Sequence, residues 1–527
     1  MIQNDSRYFK TCPKCGYERN PVSARTCEIC GAKLGGVKIP PIVWLALLAA
    51  LGYGGYQAWR RGVVPGIPSP QAVTPQAPPV LSPNPPQAPD SGFGFPNLGS
   101  LIPSRNTSTT ALTPGDPQTL LSQGARLMIA DSTSPAKIAG ITAFAQGDYS
   151  TAISEFQVAR SDLRNDPETL IYLNNARLGQ NPAAEIAVVV PIGSSVNPAR
   201  EILRGVAHHQ ERHNANPGAA LPLRVWIGDD NNDPALAQQI ATVIVRDPRF
   251  LAVVGHGTSA TSIAAAPIYR QGQKVMIAPT STSTELAQVQ PGSPTFIFRT
   301  IPSDQFTGTA LARYLLTQNR RQLSVFFNSQ SSYSRSLKEA FATTLTLEGG
   351  QILQEIDLSQ GDPPPTHPNS QGLVLLTDAQ TFDRAIQVAR LNNGRLPLFG
   401  GDALYRIDTL QQGQAAVNGL ILPVPWHPQK SGDPQFPRAA QQLWGGDVNW
   451  RTALAYDATQ AITTALRSGF TDSVALATAL VAPDFGFAGV TGQVRFTPSG
   501  ERQGQVLLVR VQPGSLSKTG YDFVPLN

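Results

Sequence analysis

Leu251-Ala-Val-Val-Gly-His-Gly-Thr-Ser-Ala-Thr-Ser-Ile-Ala-Ala-Ala-Pro-Ile-Tyr-Arg270, followed by Lys274-Val-Met-Ile-Ala278, holds a strand, a helix and a second strand in under thirty residues. Leu251–Val254 is a short unbroken apolar run closed by Gly255, the pattern of a strand covered on both faces. Ser259 to Arg270 reads as the helix, and Lys274 to Ala278 as the next strand. Two short apolar strands joined by a helix form a βαβ unit, which requires a parallel sheet with helices on its faces.

The same alternation runs outward in both directions. Upstream lie Ile186-Ala-Val-Val-Val-Pro191 as a strand, Arg200 to His213 as a helix, Leu223-Arg-Val-Trp-Ile-Gly-Asp229 as a strand and Pro234 to Val245 as a helix. After Phe296-Ile-Phe-Arg-Thr-Ile-Pro302 the series starts again, with Leu323–Asn328, Tyr333–Leu347, Gln351–Ile356 and Gly372–Thr377. Residues 183–527 are therefore expected as an α/β domain of two doubly wound parallel sheets with a cleft between them. Ligands of such sheets bind beyond the carboxyl ends of the strands.

The preceding third of the chain has a different composition. Residues 119–182 are helical in pattern, and Gly140, Ala152, Phe156 and Ala159 match the spacing of a tetratricopeptide repeat. A peptide-binding groove and a helical spacer docked on the next domain both fit. Residues 62–118 hold 14 of the 46 prolines and three charges, too little apolar surface to fold, and read as a disordered linker. Residues 39–61 contain 21 consecutive uncharged residues, Ile39 to Trp59. As a helix this run would span ~31 Å, one hydrocarbon thickness, with Trp44, Tyr53, Tyr56 and Trp59 near its ends. It reads as an uncleaved signal anchor. Ala46, Ala50, Gly54 and Ala58 form a small-residue stripe along which a homodimer could pack.

All four cysteines fall in residues 1–38, as Cys12-x-x-Cys15-Gly and Cys27-x-x-Cys30-Gly. Two turns that each present two thiolates make the tetrahedral set that Zn²⁺ prefers, so a structural zinc ribbon is expected; an iron knuckle or redox-active thiols use the same spacing. The net charge of +5 is concentrated here: residues 1–38 carry seven Lys and Arg against three acids, Arg60 and Arg61 flank the apolar run, and the rest is close to neutral. That distribution sets membrane orientation, amino end cytoplasmic and carboxy-terminal domain periplasmic or otherwise extracytoplasmic, and argues against a nucleic-acid partner.

The carboxy-terminal domain resembles the type I periplasmic solute-binding proteins of the branched-chain amino-acid (leucine/isoleucine/valine) receptor family of ABC transporters. The resemblance runs from about Ile186 to Val524. It rests on Leu203-Arg-Gly205, Gly228–Pro234, Val254–Ala260, Ile277–Thr282, Phe298–Pro302, Ser332-Tyr333, Phe399–Asp402, Ala455-Tyr-Asp457 and Val490–Phe496. It implies lobes of 183–301 with 427–490 and 302–426 with 491–527. It also implies that Ser259 and Thr282 hold a ligand α-carboxylate by their hydroxyls, that Thr280 offers a backbone contact, that Asp402 pairs with the ligand ammonium, and that Tyr333 is an aromatic contact of the second lobe. A helix amino terminus with free amides suits an anion. Read without the resemblance, Ser259 and Thr282 are helix N-caps, Thr282-x-x-Glu285 is a capping box, and Asp402 is a turn aspartate.

No P-loop, G-x-S-x-G or H-E-x-x-H motif occurs, so no enzyme is expected. His208, His209 and His213 read as a solvated helix face, and His256 three residues before Ser259 has no orienting acid in view. The function expected is a membrane-anchored receptor for an amino acid or similar small polar solute, serving an ABC permease or a sensory pathway. The alternative is a protein-binding regulator of an envelope enzyme, similar to the lipoprotein activators of penicillin-binding proteins.

Overall fold

The computed structural model describes residues 9–10, 20–21, 120–288, 295–502, 504 and 506–526. The chain divides into two units, Met1–Arg105 and Asn106–Asn527. In the first, strand β1 (Phe9–Lys10) pairs antiparallel with β2 (Asn20–Pro21). The cysteines, the apolar run and the proline-rich linker lie outside the described residues. Among the described residues no helix is long and apolar enough to cross a membrane.

The second unit begins with β3 (Leu121–Ser122) and helices α1 (Pro135–Ala145), α2 (Tyr149–Asp162) and α3 (Pro167–Leu178). Gly140 lets α1 and α2 meet closely, since a Cβ there would fall 2.6 Å from the Phe156 ring. Lys137 is fully buried between Asp166 and Glu168, 2.7 Å from each. This segment is joined to the α/β domain by hydrogen bonds: β3 pairs with the strand Leu223–Asp229, and Asn175 on α3 bonds both the N–H and C=O of Val225.

The first large sheet comprises β3, β4 (Ala184–Val190), β5 (Leu223–Asp229), β6 (Phe250–Gly255), β7 (Val275–Ala278) and β8 (Ile297–Arg299), in the order β3-β5-β4-β6-β7-β8. Alternation along β4 serves two cores. Ile186, Val188 and Val190 face α4 (Val196–Ala215), while Ala187 and Val189 face the side of α5 (Pro234–Arg246) and α6 (Ser259–Gln271). Strands covered on both faces are apolar throughout, which makes these runs readable in sequence.

The second sheet follows α8 (Asp304–Thr317), the short α7 (Glu285–Gln288) having preceded β8. It is ordered β10-β9-β11-β12-β13-β16-β17, with β9 Gln322–Phe327, β10 Gln351–Asp357, β11 Leu373–Leu376, β12 Leu398–Gly400, β13 Ile421–Val424, β16 Leu507–Pro513 and β17 Tyr521–Pro525. Helices α9 (Ser332–Leu347) and α10 (Phe382–Asn392) pack on its two faces. The chain returns to the first lobe through α12 (Gln435–Trp444), α13 (Trp450–Arg467) and α14 (Ser473–Leu480); α11 (Ile407–Gly413) lies before β13. A small hairpin, β14 (Phe487–Gly489) with β15 (Gly492–Val494), precedes the last crossing.

Two expectations are corrected. The sheets are mixed, not wholly parallel: β3 runs antiparallel to β5, and β16 and β17 are antiparallel additions beside β13. The last two strands are joined by a short loop, and only antiparallel neighbours can be joined without a crossover. The histidines of α4 are not solvated. His208 stacks on Phe436 with ring centroids 5.4 Å apart, His209 bonds Thr463 Oγ1 at 2.7 Å, and His213 bonds Leu221 O. They face α13, and burial holds the His208 imidazole down to about 4.

The passages of chain that cross between the lobes after β8 and after β15 are stitched together. Arg299 pairs with Glu501 at 2.6 Å, and the buried Arg502 donates to Thr300 O and lies 3.7 Å from Asp457.

Candidate ligand site between the lobes

The first lobe contributes the loops after β6 and β7. Thr258, not Ser259, caps α6, its Oγ1 accepting from Thr261 N–H. Ser259 is therefore free of the capping role expected for it. It is buried, and its Oγ accepts from Ser283 N–H at 3.3 Å. The capping box at Thr282 also does not form, because α7 begins only at Glu285 and the Glu285 N–H is taken by Ser283 Oγ. Thr282 Oγ1 is left buried without a hydrogen-bond partner. Thr280 turns its hydroxyl back to Gly257 O (3.0 Å), and Ser281 bonds Thr258 O, so the two loops brace one another.

His256 sits behind these loops. Its Nδ1 meets Asp230 Oδ2 at 2.8 Å and its Nε2 meets the Tyr269 hydroxyl at 3.2 Å, all three side chains being buried. The orienting acid missed in the sequence exists, 26 residues away. The imidazole nevertheless points to Tyr269 and not to Ser259, so there is no nucleophile pair. The triad fixes the loop.

The second lobe contributes α9 and the turn after β12. Tyr333 donates its hydroxyl to Asp402 Oδ1 at 2.7 Å and accepts from Ala403 N–H at 3.2 Å. Gly401 is required here, since a Cβ would fall 2.4 Å from the Tyr333 hydroxyl. Asp402 is buried, and burial raises its carboxyl above the usual range while Tyr333 and then Arg451 oppose the rise. The lobes touch where Thr284 N–H donates to Ser336 Oγ at 2.9 Å, and where Asp304 N–H donates to Thr282 O at 2.8 Å.

Asp304, the first residue of α8, completes the group. It is fully buried, and neither carboxyl oxygen has a hydrogen-bond partner, although the Ser336 and Thr282 hydroxyls lie near enough to moderate its acidity. Burial, with the Asp402 carboxylate second, pushes it up to about 7. The structure thus brings Thr282, Tyr333 and Asp402 around Asp304, and sets Ser259 against the loop carrying Thr282. Thr280 has only its backbone to offer.

Asp304 and Arg451 were missed. An aspartate in the first turn of a helix is ordinary in sequence, since it favours the helix dipole. Arg451 carried a signal: a cation in the first turn of α13 opposes that dipole.

This arrangement offers two buried carboxyls and a phenol on one side, and hydroxyls with a helix amino terminus on the other. It suits a small zwitterion. A family model described as periplasmic binding protein matches residues 185–518. The chain is similar in structure to a leucine-binding protein of Thermotoga maritima, with 22% identity over 66% of this chain and 99% of that one and a TM-score of 0.57. A substrate-binding protein of an ABC transporter from Desulfitobacterium hafniense in complex with leucine has 23% identity, 65% and 100% coverage and a TM-score of 0.55. A solute-binding protein from Rhodopseudomonas palustris in complex with benzoate has 16% identity, 66% and 96% coverage and a TM-score of 0.55. Among curated proteins, none matches the chain in sequence.

Proposed function

The chain belongs to the periplasmic binding protein family, and from that membership we propose that its lobes close on a small solute bearing both an ammonium and a carboxylate. One observation carries this reading: Asp304 and Asp402 are two buried carboxyls of the same cleft, each raised by burial, and the Asp402 carboxylate adds to the cost of ionising Asp304. Two such groups are costly to bury unless a cation joins them. An aromatic acid without an amine supplies no such cation; an amino acid does. Its carboxylate would meet Ser259 and Thr282 at the loops beside the α6 terminus, and Tyr333 would close over it.

The reading is tested by proton linkage. Asp304 in the free protein titrates at about 7, above the ordinary carboxyl value, so it is largely protonated below that pH. A bound ammonium favours the ionised form and expels the proton. Affinity is therefore expected to rise from pH 5 to about 7 and then level, by up to tenfold per pH unit for one linked proton. Calorimetry in two buffers of different ionisation enthalpy should record proton release near pH 6. Proton uptake, or a flat profile, would refute the reading.

The amino-terminal third extends the proposal. Residues 39–61 would anchor the chain in a membrane, 62–118 would hold the receptor away from it, and an ABC permease or an envelope protein would take its output. Cys12, Cys15, Cys27 and Cys30 would hold a single structural zinc. Elemental analysis of the purified chain should find that metal, and Cys12→Ser with Cys27→Ser should lose it; iron in its place, or no metal, would overturn the assignment.

A further inference from the structure

Four arginines are buried in the described residues: Arg204, Arg299, Arg451 and Arg502. Arg204 pairs with Glu201, Arg299 with Glu501 at 2.6 Å, and Arg502 lies 3.7 Å from Asp457. Arg451 has no carboxylate within 4.0 Å among the described residues. Its Nη1 donates to the backbone oxygen of Tyr405 at 3.0 Å, and its guanidinium lies 4.2 Å from the centroid of the Trp450 ring. The indole N–H of Trp450 is itself buried with no acceptor. A guanidinium has five donors, and a buried cation is costly without a counter-charge. The cost is increased by its place in the first turn of α13, where the helix dipole favours an anion.

Its location belongs to the cleft. Tyr405 follows Asp402 by three residues in the second lobe, whereas α13 packs on α4 in the first, so Arg451 reaches across between the lobes. Burial brings the guanidinium down to about 10; the Asp402 carboxylate opposes this most, Glu201 and Tyr333 oppose it less, and the Arg406 guanidinium adds to the lowering. Asp402 cannot neutralise both Arg451 and an incoming ammonium at full strength.

We infer that Arg451 is a specificity-determining residue, and that the solute carries a second anionic group on its side chain, which the guanidinium receives beside Trp450. This rests on the reading of the cleft as an amino-acid site. The solute class is then the acidic amino acids, with a carboxylate or similar planar anion that an arginine fork can hold by two bonds. The α-ammonium meets Asp304 and Asp402, the α-carboxylate meets the loops of Ser259 and Thr282, and the distal anion meets Arg451.

The test is calorimetry of the purified full-length chain with glutamate, aspartate, glutamine and leucine. Glutamate or aspartate is expected to bind at least about tenfold more tightly than glutamine, the scale of one charge-assisted contact. Arg451→Met keeps the bulk and the stacking on Trp450 while removing the charge. It should weaken the acidic ligand by about 10- to 100-fold and leave glutamine nearly unchanged, and Arg451→Lys should retain part of the preference. A purely structural role through Tyr405 would lower all affinities together and leave their ratio fixed. Equal binding of glutamate and glutamine to the native chain, or an unchanged ratio in a folded Arg451→Met, overturns this inference and leaves the amino-acid reading standing. No binding by any of the four overturns both.

Discussion

Replacing Asp402 by Asn is expected to weaken the ligand by about 100-fold or more, the largest loss of affinity from any single substitution in the cleft. The carboxylate is buried, held by the Tyr333 hydroxyl at 2.7 Å, and shares its field with Asp304. A charge-assisted bond to an ammonium contributes about 3 kcal/mol where water is excluded, which is roughly two decades in Kd. Tyr333→Phe removes only the hydroxyl that orients Asp402, and should cost closer to tenfold, about 1 kcal/mol. Asp304→Asn separates binding from folding. The raised pKa of Asp304 means that its ionisation works against the folded state: its stabilising share is complete at low pH and is lost as pH rises through about 7. The free Asp304→Asn protein should therefore be more resistant to urea than the native chain at pH 8, while binding ligand more weakly. Titration calorimetry and urea unfolding on the same preparations decide this. Loss of stability together with affinity in all three variants would assign these residues to the scaffold.

Gly205 carries the largest expected effect on stability. It lies on α4 where α13 crosses, and a Cβ at this position would fall 2.2 Å from Thr452 O and 2.7 Å from Tyr456 N. Both obstacles are backbone atoms of a buried helix, so no rotamer change relieves the clash. Gly205→Ala must separate the two helices, and is expected to cost about 3 kcal/mol or more; Gly205→Val should prevent the first lobe from folding. Gly446 is the control, because nothing lies within 4 Å of the place a Cβ would take there, and Gly446→Ala should be nearly neutral. The urea midpoint followed by circular dichroism checks the pair. The same separation would tilt α13, which carries Arg451 and Asp457, so any folded Gly205→Ala should also bind ligand less tightly.

The parts of the fold legible in sequence were those where one local pattern has one solution. Strands β4, β5, β6 and β7 are apolar runs covered on both faces; the predicted limits of β5 coincide with the observed ones, and those of β4, β6 and β7 differ by a residue or two. Helix α6 begins where its polar first turn indicates, at Ser259, although the cap itself is Thr258. What stayed hidden depended on partners distant in sequence. Strand β3 has two residues and exists only because it lies along β5. The antiparallel strands β16 and β17 look in sequence like any other strands. The solvated face expected for His208, His209 and His213 was overturned by α13, more than 200 residues downstream. Within the cleft, Ser259, Thr282, Tyr333 and Asp402 were suggested by resemblance, whereas the meeting of Asp304 with Asp402, across 98 residues, needed the folded chain. Arg451 was the one missed residue with a readable warning, a cation placed against a helix dipole.

If two buried carboxyls make this cleft select an amine-bearing solute, removing the amine from the solute must abolish most of its affinity. The decisive titration sets the purified full-length chain against amino acids and against the same molecules lacking the α-amino group, such as glutamate against glutarate and leucine against 4-methylpentanoate. Saturable binding of at least one amino acid is expected at one site per chain, with its deaminated partner weaker by about 100-fold or more. Equal affinity for the two members of a pair, or tight binding of benzoate with none of any amino acid, would contradict the selection of an amine by Asp304 and Asp402.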